Sequence, residues 1–476
     1  MKNKNTWESY NARQLKELET VSSEYIDFIS DSKTERECVD RIVEAAEEAG
    51  FKELDTLIKS GTKVKSGDKI YSVWMNKSVA LFKIGKRPIS EGMNILGAHI
   101  DSPRLDLKQN PLYEDGGFAY LDTHYYGGVK KYQWVTIPLA LHGVIVKKDG
   151  TTVIVNIGED EDDPVFFVSD LLIHLAEAQL EKKGNKVVEG EALDIIVGNK
   201  PLIIKGRGTS DKTAGKDDKK DKEKVKNNIL DILKSTYGVE EDDFVSAELE
   251  VVPAGRAREA GIDRSMILGY GHDDRVCAYP SLRAILKAGN LEKTACCILV
   301  DKEEIGSVGA TGMRSHFFEN MVAEIMELAG DYSELKLRRA LAASCMLSSD
   351  VSAGFDPAYA SVFEKKNSCF LGNGVVFNKY TGSRGKSGSN DANAEYIAYL
   401  RDILDKDKVI YQTAELGKVD AGGGGTIAYI LALYGMNVID SGVAVLNMHA
   451  PWECISKADL YEAYRCYVSF LKGPGI

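Results

Sequence analysis

TACCILVDKEEIGS, residues 294–307, decides how this chain is read. Its apolar run up to Val300 is short and unbroken, the pattern of a strand buried on both faces. Two adjacent carboxylates, Glu303 and Glu304, follow almost at once. Acids at the end of a core element are costly unless something pairs with them; an exposed acidic turn is the plain alternative. Four further segments carry metal-ligand residue types: His99 in AHIDSPR, Asp273 in GHDDR, Asp350 in SSD and His449 in MHAPWE. Apolar runs at 93–98, 341–347 and 443–446 precede His99, Asp350 and His449, and each reads as a buried strand. Asp273 stands apart, in a loop before a helix beginning near Val276. Open α/β sheets form ligand sites outside the carboxyl ends of their strands, so residues remote in sequence can meet at one edge. Two His, two Asp and one or two Glu suit a pair of divalent ions. The expectation is a two-metal hydrolase.

Composition agrees and removes other classes. A chain of 476 residues exceeds the size at which single cores stop growing, so two domains are expected. Hydrophobic residues make up 44%, ordinary for a globular protein, and the net charge of −12 argues against nucleic acid as a partner. The eight cysteines form no CxxC pair, and Cys296–Cys297 sit inside an apolar run. They read as small buried hydrophobes of a reducing compartment. The start, MKNKNTWESY, has no apolar signal core, and no run approaches the ~20 residues of a membrane helix. A cytoplasmic protein without a membrane partner is expected.

Near the amino terminus, Thr34 and Glu37 have the spacing of a capping box, Cys38, Ile42 and Val43 mark an apolar helix face, and Gly50 supplies the stop. Strands are expected at 70–74 and 79–84. Residues 108–252 are rich in tyrosine and β-branched residues, with a helical patch around 171–180 and no dense acid/His motif. This predicts an α/β catalytic domain with a mixed sheet, residues 1–107 and 253–476, interrupted by a β-rich inserted domain at 108–252. Within the insert, 208–226 is expected to be a mobile charged loop. GRGTSDKT at 206–213 lacks the phosphate-loop spacing.

Each motif has a chemical reading and a plainer one. His99 and Asp101 lie two apart, so Asp101 can hold the ring nitrogen of His99 that faces away from a metal; an isolated His-x-Asp is more often structural. One carboxylate of Asp273–Asp274 can bridge two ions ~3.5–4 Å apart, and the plainer role is a helix N-cap. Glu304 binding metal while Glu303 stays free as general base divides the labour of the acidic pair. A metal-bound water, its pKa drawn from ~15.7 toward ~7, would then give its proton to Glu303. Gly422–Gly425 are either a flexible loop or a place where backbone N–H groups approach substrate, with Gly423 and Gly424 as the candidates. His124, His142 and His174 read as structural, and His272 as a flanking residue.

The segments GAHIDSPRLDLKQNP, GHDDRVCAYPSL, DKEEIGSVGATG, SSDVSAGFDP, VDAGGGGTIAYILA and DSGVAVLNMHAPWE resemble those of the M18 family of zinc aminopeptidases, the aspartyl aminopeptidase and yeast aminopeptidase I group. By that resemblance His99, Asp273, Glu304, Asp350 and His449 hold two divalent ions, most readily Zn2+, with Co2+ or Mn2+ as substitutes. Asp273 is the bridge, Glu303 the base and Asp101 the residue orienting His99. The resemblance further implies peptide substrates and a homo-oligomer, up to a dodecamer, built through the insert. One of its histidines would reach a neighbouring subunit's site, and Tyr113, Tyr120, Tyr125, Tyr126, Tyr132 and Trp134 would serve as interface anchors. Aspartyl aminopeptidases place a basic residue just before an Asn. Aligned on Asn378, this chain has Val376, two positions ahead of it, where that basic residue is expected, which predicts a neutral first residue, unless Lys379, Arg384 or Lys386 supplies the charge. A dimetal carboxypeptidase or amide deacylase shares the same ligand logic, and a catalytically idle scaffold is the third reading.

Overall fold

Alternation along a strand sets which face of a sheet each residue serves. In the strand Thr294–Val300, Ala295, Cys297 and Leu299 enter one buried apolar cluster, and Cys296, Ile298 and Val300 enter another. The adjacent cysteines therefore face opposite ways, and all eight cysteines are buried and free. The computed structural model describes residues 5–203, 223–382, 385–420 and 422–476. Its chain falls into two compact units, Met1–Ser102 with Arg256–Ile476, and Pro103–Gly255.

The first unit is built on a nine-stranded mixed sheet. Its order is Lys52–Glu53, Lys69–Trp74, Ser78–Lys83, Thr294–Val300, Met93–His99, Cys345–Ser349, Asn437–Gly442, Val375–Asn378, Tyr411–Ala414. The four strands from Thr294–Val300 to Asn437–Gly442 run parallel to one another. Helices Ala12–Ser30, Glu35–Glu48, His272–Lys287 and Lys457–Lys472 pack on one face, and Leu54–Ser60, Phe317–Leu328 and Glu334–Ala342 on the other. Thr34 and Glu37 form the expected box: Glu37 N–H donates to Thr34 Oγ1 at 3.2 Å, and Thr34 N–H to Glu37 Oε2 at 3.0 Å. A second, five-stranded sheet has the order Arg258–Ala260, Met266–Gly269, Glu453–Ser456, Ala444–Leu446, Ser352–Ala353.

Pro103–Gly255 is built on a six-stranded antiparallel sheet, in the order Thr152–Ile157, Leu139–Val146, Ala247–Pro253, Arg104–Asp115, Phe118–Tyr126, Ile195–Gly198. Trp134 and Tyr126 are buried inside this unit, the latter under the Arg104 guanidinium at 4.0 Å, so they anchor its core and not a surface. Tyr113, Tyr125 and Tyr132 are exposed.

Several expectations are corrected. The run 341–347 is not one strand: Leu337, Ala340 and Leu341 recur at helical spacing and end the helix Glu334–Ala342, and the strand is Cys345–Ser349. The run 443–446 becomes Ala444–Leu446 of the five-stranded sheet, not part of the main one. The chain leaves the main sheet after Gly442, where a Cβ would lie 1.8 Å from the Asp350 carbonyl oxygen. The helical patch at 171–180 is a 3-10 turn at Ile173–Leu175 and a single helical turn at Glu177–Leu180. Of the segment expected to be mobile, and of GRGTSDKT, residues 204–222 lie outside the described residues. Lys224–Ile232 is a helix, which pairs two of its N–H groups, Val225 and Lys226, with the Glu114 carboxylate.

Candidate metal centre

Three parallel strands deliver acids and imidazole to one edge of the main sheet. Met93–His99 lies between Thr294–Val300 and Cys345–Ser349, with His99 opposite Val300 and Gly97 opposite Ser348. Asp101, Glu303–Glu304 and Asp350 therefore follow at equivalent strand ends. Asp273 and Asp274 come from the non-helical first residues of His272–Lys287. His449 comes from the turn joining Ala444–Leu446 to Glu453–Ser456, with a left-handed φ of 66°.

Asp273 sits at the centre. Its Oδ1 is 3.1 Å from His99 Nε2 and its Oδ2 is 3.2 Å from His449 Nε2. Glu304 Oε2 is 3.7 Å from His449 Nε2. The ligand atoms of His99, Asp273 and Glu304 lie within 4.8 Å of one another, as do those of His99, Asp274 and Asp350. Asp101 lies behind this group. Its carbonyl oxygen is 2.9 Å from His99 Nδ1 and its Oδ1 3.3 Å, while its carboxylate accepts the backbone N–H groups of Glu303 and Glu304 at 3.1 and 3.2 Å. One side chain thus orients an imidazole and fixes the turn bearing the acidic pair.

Burial governs the electrostatics. It raises the Glu304, Asp350 and Asp274 carboxyls well above their usual range and pushes Glu303 up to about 7. Burial opposes charge on His99 as well, but the Asp101 and Asp273 hydrogen bonds outweigh it and hold the imidazole well above its usual value. Asp273 is held low despite its burial, because His449 and His99 hydrogen-bond to it. Glu304 Oε1 and both Asp274 oxygens are buried without a hydrogen-bond partner among the described residues. Orphaned carboxylate oxygens beside two imidazoles fit a site for hard or borderline divalent cations.

A cavity of about 410 Å³ opens over this cluster. Its lining includes Glu303, Asp350, Asn378, Asp440 and the loop Gly423–Thr426, with Val351, Leu416 and Met448 as its apolar wall. Gly423 and Gly424 therefore face the site. Lys379 does not line it and is ion-paired with Asp391, as is Lys386 at 2.9 Å. Arg384 lies outside the described residues. His272 is buried, with Nδ1 2.7 Å from the Tyr25 hydroxyl, and burial lowers its pKa to about 3, which keeps it neutral. In the Pro103–Gly255 unit, His142 is buried against Glu159 at 3.0 Å, and His124 and His174 are exposed.

Two residues here, Glu453 and Asp440, escaped the sequence reading, in which Asp274 is only the alternative to Asp273. Asp274 joins the cluster beside Asp350. Glu453 is buried and its two oxygens accept the backbone N–H groups of His449 at 2.7 Å and Asp273 at 3.0 Å. Asp440 is 2% exposed and lines the cavity from inside a strand. The available signal was an acid within an apolar run, NVIDSGVAV, and a second acid four residues after His449.

An α/β fold whose parallel strand ends gather buried carboxylates and imidazoles beneath an open cavity defines a metallohydrolase. The family described as aminopeptidase I zinc metalloprotease (M18) matches residues 28–471, and the chain belongs to it. It is 61% identical over 468 residues to a probable M18 family aminopeptidase 1 of Clostridium acetobutylicum, covering 98% of each chain. The solved structure of an M18-family aminopeptidase from Thermotoga maritima matches with a TM-score of 0.91 at 44% identity, covering 99% of this chain and 100% of the other. Aminopeptidase I from Clostridium acetobutylicum matches with a TM-score of 0.89 at 59% identity, covering 99% of both. The chain is thus a zinc-family aminopeptidase, a hydrolase of peptide bonds, and the carboxypeptidase, deacylase and scaffold readings fall away. Among the described residues, no helix is long and apolar enough to cross a membrane.

Proposed function

We propose that this aminopeptidase works with two divalent ions, zinc by preference, bridged by Asp273. The observation that carries the reading is that its two carboxylate oxygens face two different imidazoles. His99 and Asp350 would hold one ion and Glu304 and His449 the other, with Asp274 beside Asp350 as a further donor. Ions held by these residues would supply Lewis acidity toward a carbonyl and toward water. Glu303 takes the proton of the attacking water and returns it to the departing amine. Asp101 keeps the His99 ring and the Glu303 backbone in register while this happens. Gly423 and Gly424 line the wall along the peptide, the Gly424 N–H being held by the Thr381 carbonyl at 3.0 Å.

A neutral first residue is the preferred substrate. Val376 is packed against Cys369, Ala414 and Ala444, and both Lys379 and Lys386 are engaged by Asp391, so no lysine there is left to meet an acidic side chain. The insert, expected at 108–252, serves homo-oligomerisation, with a dodecamer as the family's form. Exposed Leu172, Ile173, Leu175 and Ile154 in this segment support that role. A reducing cytoplasm suits eight buried free cysteines. Zinc analysis and hydrolysis of leucine anilide, its N-acetylated form and an N-blocked dipeptide test the reading. Two ions per chain, both lost in Asp273→Ala, and turnover of the free amine alone are expected. Full activity after exhaustive chelation would refute it.

A further inference from the structure

The geometry points to Asp440 as the acceptor for the free α-ammonium of the peptide. This rests on the dimetal reading above, which assigns the other acids of the cavity. Among the described residues lining it, the carboxylates are Asp273, Glu303, Glu304, Asp350 and Asp440. Three of these are claimed by the ions and Glu303 by the proton. Of these five, Asp440 alone is left for the substrate.

Its surroundings suit that task. Oδ1 accepts a hydrogen bond from Thr426 Oγ1 at 2.5 Å, which fixes the carboxylate, while Oδ2 is buried with no partner among the described residues. A buried acceptor left open costs stability unless a ligand fills it. Asp440 pairs with Ser348 across the parallel ladder, so it lies one strand, about 4.8 Å, from the strand that leads to Asp350. An α-ammonium is separated from the reacting carbonyl by a single carbon. The head of a lysine or arginine side chain lies a full side-chain length further out. The short span therefore selects the α-ammonium, and with it the requirement for an unblocked amino terminus.

Thr426 closes the loop Gly423–Thr426, so the same segment that lines the cavity also orients the anchor. Asn378, the Cα partner of Asp440 on the other side, has its amide occupied by Ser352 and Ala414 and does not compete.

The test compares leucine anilide with its des-amino analogue, 4-methylpentanoyl anilide, in zinc-loaded wild type and Asp440→Asn. Removing the amine should cost wild type about 100-fold or more in kcat/KM. Asp440→Asn should lose a similar factor on leucine anilide and almost nothing on the analogue, with zinc content unchanged. Asp440→Glu, which keeps the charge and misplaces it, should fall between and serves if the Asn variant fails to fold. Equal losses on both substrates would make Asp440 merely structural and overturn the inference. A loss confined to lysine and arginine anilides would overturn it in favour of a side-chain subsite. Wild type that is active after exhaustive chelation would instead refute the dimetal reading beneath it.

Discussion

Glu303 and Glu304 differ in surroundings far more than in chemistry. The Glu304 side chain is 4% exposed and near His449 Nε2, with one oxygen orphaned. Glu303 lines the cavity, and burial pushes its carboxyl up to about 7, where it can both accept and release a proton near neutrality. Glu303→Gln keeps shape and removes proton acceptance, so kcat should fall about 10²–10⁴-fold while zinc content stays. Glu304→Gln should shed an ion. Metal analysis of the two purified variants distinguishes them, and the opposite pattern would exchange their roles.

Elements hold these residues, and a single acid ties two of them together. Glu453, at the start of its strand, accepts the N–H groups of His449 and Asp273, which arrive from a turn and a helix start. His449 has a left-handed backbone that a non-glycine residue adopts only when its surroundings impose it. Glu453→Gln offers one acceptor oxygen in place of two and sets an amide N–H₂ against a backbone N–H. Zinc affinity should weaken about 10–100-fold, and kcat at saturating zinc should stay near wild type. Competition with a chelator measures this, and unchanged affinity would reduce Glu453 to a core residue. The same contrast explains what the sequence discloses. His99 and Glu303 follow apolar runs that are strands of the main sheet, so local pattern exposes them, whereas only the last part of the run before Asp350 belongs to its strand. The strand before His449 looks identical, yet pairs in the five-stranded sheet, because pairing partners remote in sequence leave no local trace. Glu453, Asp274 and Asp440 are ordinary acids until burial distinguishes them, together with backbone N–H partners at Glu453 and unfilled oxygens at Asp274 and Asp440, and all of these are properties of the folded chain.

At the scale of the whole molecule, this concentration of buried acid makes stability depend on metal and pH together. Folding raises the affinity for protons at His99, Glu303, Glu304 and Asp350. The stabilisation from each such proton is complete below the group's unfolded pKa, 4.5 for Glu303, and is lost as pH rises through the folded value, about 7 there. Asp273 has the opposite sign, since its lowered carboxyl loses stabilisation only as pH falls below its ordinary 3.8. His272, whose burial lowers its pKa to about 3, also opposes the raised groups, but only below its ordinary 6.5. Between about pH 5 and pH 8 the raised groups therefore dominate, and the metal-free protein should grow less stable as pH rises. Zinc reverses the situation, because ligation requires ionised carboxylates and a neutral imidazole, so binding expels these protons and strengthens with pH. Thermal unfolding of chelated protein should show Tm lower by on the order of 5 °C at about pH 8 than at about pH 5.5. The stabilisation conferred by zinc, read as the difference in Tm between loaded and chelated protein, should widen over the same interval. Calorimetric titration of zinc in two buffers of different ionisation enthalpy should register proton release near neutrality. A chelated protein whose Tm rises across this range would mean that the acids of the cluster are ionised without their metals, and that other groups carry the pH dependence.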